Sequence, residues 1–258
     1  MNNQTNPNSE NILETKHLTH TFTNGVTAIC DINLAVKPGE FIVIAGANGS
    51  GKTVLMRHFN GLLMPTQGVV LLEGKPITND LTLARKKIGL IFQNSDHQIV
   101  GQTIREDVAF GPENLSLPRK EVENRVQKAL EAVGLSDMPE HPPHTLSGGQ
   151  KRRLAIAGVL AMNPEIIVFD EPFTGLDYPG VLQVLTQIVA LYRKGHTIII
   201  VTHELEKVLA HATRLIIMEK GRIVQDGHPG NLIEQVETYG IRRPFGKDRS
   251  IGTMTWLN

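Results

Sequence analysis

Five apolar residues run unbroken from 41 to 45, and the same pattern returns at residues 166–169, 198–202 and 215–218. Runs of this kind belong to strands covered on both faces, the usual situation in a parallel sheet. Shorter β-type runs at residues 18–23, 32–36, 69–72 and 88–93 predict further strands. Helical spacing appears at residues 52–63, 181–193 and 204–211, and from about 103 to 162 the chain is helical in character. Within that stretch Val122, Val126, Ala129, Leu130 and Val133 share one face, with Pro118 near its start and Gly134 as its stop. The pattern predicts an α/β fold with a helical insertion, closing around Gly240.

Composition narrows the function. Among 258 residues, 26 Lys and Arg balance 26 Asp and Glu, which removes a global electrostatic case for binding nucleic acid or anionic lipid. The single cysteine, Cys30, permits no internal disulfide and no multi-cysteine metal site. A reduced compartment, most simply the cytoplasm, is expected. The longest apolar stretch, residues 154–162, falls well short of the roughly 20 residues of a membrane helix, so any membrane role passes through a partner. Residues 1–11, rich in Asn, read as a flexible tail without the features of a signal peptide, and residues 241–258 as an appendage, either a dimer contact or a loose end.

Three motifs carry chemistry. Gly46-Ala47-Asn48-Gly49-Ser50-Gly51-Lys52-Thr53 fits the phosphate-loop pattern and lies between a predicted strand and a predicted helix. Its backbone N–H groups are expected to cradle phosphates, with Lys52 on the β- and γ-phosphates and the Thr53 hydroxyl on Mg²⁺. Leu146-Ser147-Gly148-Gly149-Gln150 opens the next helix. A capping box accounts for Ser147 and Gln150 but not for two glycines in the first turn, each costing about 1 kcal/mol of helix propensity. Close approach of an anion accounts for them, making this a second phosphate site for which a chain folded round one nucleotide has no need. The third motif is an apolar strand ending in Asp170 and Glu171, suited to holding Mg²⁺ and to polarising a water that attacks the γ-phosphate. Gly46, Asp170 and His203 all stand where apolar strands end, the edge at which open α/β sheets bind ligands.

In this order the motifs resemble those of the ATP-binding cassette (ABC) ATPases, over residues 12–240. The resemblance implies a P-loop NTPase: a RecA-like core, an antiparallel β subdomain, and a helical signature subdomain of about residues 94–162. It also implies that Gln93 senses Mg²⁺ and the attacking water, that Phe22 stacks on adenine, and that His203 touches the γ-phosphate. Ser147, Gly149 and Gln150 would contact the nucleotide held by an opposite subunit, and Asp177, in the Gly175-Leu176-Asp177 D-loop, would link the two sites. ATP and Mg²⁺ are thus expected between two head-to-tail cassettes, of which this chain supplies one. Val54 departs from the family's usual threonine at the α-phosphate but keeps its backbone N–H.

Phe92-Gln93-Asn94-Ser95-Asp96-His97-Gln98, followed by residues 106–112, is similar to the ATPases of energy-coupling factor importers, which take up vitamins such as biotin, or cobalt and nickel ions. That resemblance implies a peripheral protein on the cytoplasmic face of the membrane, paired with itself or a related ATPase. It also implies a membrane T-component, whose coupling helices enter a groove beside Gln93, and a small substrate-binding membrane subunit. Asp96 and Asp107 are candidate partners for arginines of the T-component. A conventional ABC transporter cassette and a soluble scaffold ATPase remain as alternatives.

Overall fold

In the computed structural model, which describes residues 10–244 and 250–257, a six-stranded sheet forms the centre. Residues 1–9 of the expected tail, and residues 245–249 and 258 of the expected appendage, lie outside the described residues. The sheet runs β10 (Arg222–Gly227), β9 (Arg214–Glu219), β3 (Phe41–Ala45), β8 (Thr197–Val201), β7 (Ile166–Asp170), β6 (Ile88–Ile91), parallel except for β10. Its inner strands are buried on both sides, as unbroken apolar runs require. Phe41, Val43 and Ala45 face one hydrophobic cluster, Ile42 and Ile44 the other, and β7, β8 and β9 alternate in the same way.

The first cluster is closed by four helices: α3 (Ile104–Asn114), α4 (Arg119–Val133), α5 (Gly148–Ala161) and α6 (Tyr178–Arg193). On the other face lie α1 (Lys52–Phe59), α2 (Leu81–Lys87) and a second, antiparallel sheet. That sheet has the order β2 (Thr27–Val36), β1 (Leu13–Thr21), β4 (Gln67–Leu72), β5 (Lys75–Pro76). A short α7 (Pro229–Leu232) follows β10. The helical stretch is three helices, separated by local signals. Thr103 and Glu106 form a capping box at α3, Gly134 ends α4, and Ser147 and Gln150 box the start of α5. The five apolar positions read for α4 are its buried face.

Several elements differ from the sequence pattern. The first helix stops at Phe59 rather than 63, where the chain folds back with Gly61 N–H on His58 O and Leu63 N–H on Arg57 O. Residues 204–211 form two 3₁₀ turns instead of a helix: the backbone leaves helical geometry at Val208, φ −137°, between them, as Leu205, Val208 and Leu209 all enter the core. β10 and α2 carry too many polar positions to register as apolar runs: β10 is a partly exposed edge strand, and α2 buries only Ala84.

Residues 250–257 pack against the body. Met254 is buried, its carbonyl accepting from Ala210 N at 3.0 Å, and Thr255 Oγ1 lies 2.8 Å from His211 Nε2. The Trp256 ring sits 5.4 Å from that of Tyr178, and the buried Lys207 ammonium lies between Trp256 (4.8 Å) and Phe173 (5.7 Å).

Candidate active site

The loop between β3 and α1 is wedged into the structure from two sides. Gly51 has φ 99°, and a Cβ there would lie 2.8 Å from both Ala28 O and Ile29 Cγ2. A Cβ on Gly46 would come within 2.3 Å of Met218 O. Ser50 O accepts from Gly221 N at 3.1 Å, and Gly221 O accepts from Cys30 N at 2.8 Å, so the β9–β10 turn ties the loop to β2. Only glycine fits at these two positions. Lys52 is buried, its ammonium donating to Gly46 O at 2.7 Å and Ala47 O at 3.0 Å. Burial pulls its pKa down, opposed by the carboxylates of Glu171 and Asp170.

Asp170 ends β7 and is almost fully buried, and the Thr53 hydroxyl donates to its carboxylate at 3.3 Å. Burial pushes the Asp170 carboxyl above its ordinary pKa, helped by neighbouring Glu171 and opposed first by the Thr53 bond. Successive strand residues point to opposite faces, yet Asp170 and Glu171 line the same cavity. The device is a left-handed backbone at Glu171, φ 44°, which costs on the order of 1 kcal/mol for a residue with a Cβ. Glu171 N–H donates to Val201 O at 2.8 Å, while its carboxylate accepts from Thr202 Oγ1 at 3.1 Å and from His203 Nδ1 at 2.8 Å.

These groups surround a cavity of about 620 Å³. Asn48, Gly49, Gly51, Lys52, Thr53 and Val54 form its floor; Gln93, Asp170, Glu171 and His203 line it further, as does half-exposed Phe22 from the end of β1. Gly46, Ala47 and Ser50 complete the loop beneath. Sequence reasoning missed Thr202, whose hydroxyl fixes Glu171, and the Lys220–Gly221 turn that closes one side. Neither belongs to a motif; the Glu-Lys-Gly-Arg turn at residues 219–222 is the only sequence signal there.

Ser147, Gly149, Gln150 and Asp177 do not line this cavity. Ser147 and Gln150 cap α5 reciprocally, Gln150 Oε1 accepting from Ser147 N at 2.8 Å. Asp177 Oδ1 caps α6 by accepting from Gly180 N at 3.0 Å. Among the described residues a Cβ on Gly148 would meet nothing within 4 Å, and one on Gly149 only Gly180 Cα at 3.9 Å, so no contact between them requires glycine at either position.

The donor set fits a nucleotide with a small hard cation. Thr53 and Asp170 offer adjacent oxygens, while no group of three or more His, Cys, Asp or Glu among the described residues could hold a metal. A cation here must therefore share its coordination with phosphate and water, as Mg²⁺ does. A phosphate loop at the edge of a parallel sheet, with a terminal Asp-Glu pair and a glycine-led second helix, defines a P-loop ATPase of the cassette type.

A family model described as "ABC transporter" matches residues 29–174, and the chain belongs to that family: it is an ATP hydrolase coupled to transport. Relatives narrow the resemblance. The energy-coupling factor transporter ATP-binding protein EcfA of Methanocaldococcus jannaschii is 49% identical, covering 88% of this chain and 82% of its own length. EcfA1 of Caldanaerobacter subterraneus subsp. tengcongensis is 48% identical over 80% of this chain and 76% of its own. Among solved structures, cbiO1 of Clostridium perfringens, described as part of the ABC transporter complex cbiONQ, superposes with a TM-score of 0.80 at 37% identity. That match covers 89% of this chain and 93% of cbiO1. The dimeric cassette MJ0796 gives 0.75 at 30%, covering 84% of this chain and 98% of its own.

Proposed function

We propose that this chain hydrolyses Mg²⁺-ATP as one half of a head-to-tail cassette pair, powering micronutrient uptake through an energy-coupling factor transporter. The open Gly148-Gly149 turn carries the pairing: it is a helix N-terminus shaped for an anion that its own chain's cavity does not present to it. Lys52 and the loop N–H groups hold the phosphates, Thr53 and Asp170 hold the cation with Gln93 beside it, and Phe22 takes the base. When bound, Mg²⁺ neutralises charge on the transferring phosphoryl group.

Glu171 orients and deprotonates the attacking water, its carboxylate aimed by Thr202 and His203. A neutral His203 that donates from Nδ1 to Glu171 keeps Nε2 as an acceptor. It therefore reaches a γ-phosphate oxygen as the imidazolium, or after releasing Glu171. Ser147, Gly149 and Gln150 complete the partner's cavity, and Asp177 borders the junction.

Membrane coupling is supported by a groove of about 300 Å³, where Phe92 and Gln98 face Phe110, Ala155 and Gly158. Asp107 also lines it, buried and with its pKa raised by that burial, holding Val100 N–H and Gly101 N–H on Oδ1. Asp96, 61% exposed although paired with Lys151 at 2.7 Å, and Asp107 are the two acidic candidates for a T-component arginine. No helix among the described residues is long and apolar enough to cross a membrane, so spanning falls to T- and substrate-binding subunits, with this chain at their cytoplasmic face.

The test is affinity purification of the tagged chain from detergent-solubilised membranes. Co-recovery of a T-type membrane protein and a small substrate-binding membrane protein supports the reading, and the latter indicates the cargo class. Recovery with two conventional transmembrane subunits, or with soluble proteins alone, overturns it.

A further inference from the structure

Three consecutive cations follow the glycine-led turn, and the fold sends them to three places. Lys151 reaches Asp96 at 2.7 Å, and Arg153 donates to Val133 O at 3.2 Å. Arg152 turns inward, 3% exposed, its Nη1 donating to Phe92 O and its Nη2 to Gln93 O at 2.6 Å. Among the described residues no carboxylate is bonded to it and its buried Nε has no partner, and burial pulls its pKa down against the opposing charge of Asp170. Taking a guanidinium out of water carries a large desolvation cost, which two carbonyl bonds repay only in part. An apolar side chain of similar volume would serve packing better, so the cation is retained for what it holds.

We propose that Arg152 is a positioning residue for Gln93. It clamps the peptide backbone on both sides of Gln93 and so sets how that exposed side chain enters the cavity of Asp170 and Thr53. Because Arg152 stands five residues after the cap Ser147, a tilt of α5 when its N-terminus meets a partner's nucleotide is delivered to Gln93 of its own cavity. The Lys151–Asp96 pair is a second tie between the same two segments. Each nucleotide site is thereby informed of the other within one chain. This inference rests on the catalytic reading of Gln93 given above.

The experiment is a double-mutant cycle on the purified full-length chain, with Arg152→Gln and Gln93→Ala alone and together. Steady-state kcat and KM for Mg²⁺-ATP are measured, with binding of a fluorescent ATP analogue as the control for folding. Arg152→Gln is expected to lower kcat about 10- to 100-fold, the scale of a displaced catalytic group, with KM and analogue binding changed less than about threefold. In the Gln93→Ala background it should cost nothing more. Arg152→Lys, which keeps the charge but spans one carbonyl, should fall between, and it is carried through the same cycle if Arg152→Gln fails to bind the analogue.

Losses that multiply across the two positions overturn the positioning role while leaving Gln93 catalytic. An unchanged kcat for Arg152→Gln also overturns it. If Gln93→Ala itself retains full turnover, the catalytic reading of Gln93 falls and the inference falls with it.

Discussion

Replacing Glu171 by Gln separates holding ATP from hydrolysing it. The amide is isosteric, and its two ends can still face Thr202 Oγ1 (3.1 Å) and His203 Nδ1 (2.8 Å). With its NH₂ toward His203, the ring need only adopt the other tautomer; with its NH₂ toward Thr202, that hydroxyl accepts instead of donating. Both arrangements keep two hydrogen bonds while removing a buried charge, so stability should move by less than about 1 kcal/mol. What is lost is a proton acceptor, on the order of 10²- to 10⁴-fold in rate, or about 3–5 kcal/mol of barrier. The assay pairs phosphate release at saturating Mg²⁺-ATP with light scattering for the ATP-dependent dimer. The variant should dimerise with ATP and release phosphate at least about 100-fold more slowly. Turnover within about threefold of the parent chain would refute the assignment of Glu171 as the base.

Three further outcomes follow from the geometry. Ser147→Arg places a bulky cation at a turn whose glycines open outward; turnover should vanish while a single chain still binds ATP with Kd within about threefold, and loss of that binding would place the turn in its own cavity. His58 and His211 have pKa values pulled below 6.5 by burial, so below that pH the unfolded chain takes up protons that the folded chain refuses. Stability should therefore decline as pH falls through 6.5. Asp107 and Asp170, raised by burial, act in the opposite sense, so the histidine contribution is read as the smaller pH dependence of the denaturation midpoint in His58→Gln. Trp256→Ala removes a ring from Tyr178 and from the Lys207 ammonium; a loss of about 2 kcal/mol, or roughly 4–8 °C in Tm by calorimetry, is expected, and an unchanged melt would refute a stabilising role for that packing.

The sequence made legible whatever physical chemistry ties to fixed spacing. The phosphate loop, the Asp170-Glu171 strand end and the boxed helix at Ser147 are local, so residue order alone reveals them. Contacts made at a distance were not legible. Lys151, Arg152 and Arg153 are adjacent cations in the sequence, and only the packing of α5 against residues 92–96 separates a surface ion pair from a buried clamp. The sequence offers Asp177 only through the family resemblance; the structure adds that it caps α6, a task any short polar side chain performs. The path of residues 250–257 could not be foreseen either, since it depends on Tyr178, Phe173 and Lys207 converging from separate segments.

The wedge that fixes the phosphate loop has a consequence for how the protein comes into being. Residues 46–53 are made early, but their shape is set by Ala28 and Ile29 on one side and by Met218 and Gly221 on the other. The central strand β3 likewise finds both neighbours, β8 and β9, in the last third of the chain. Such long-range pairings bear their loop-closure entropy before any contact repays it. During synthesis the nucleotide loop is therefore expected to stay open until Met218 and Gly221 have left the ribosome. Arrested chains ending before Gly221 should fail to retain ATP, whereas released full-length chains should hold it. ATP then becomes a late ligand of folding, binding only molecules whose sheet is already complete.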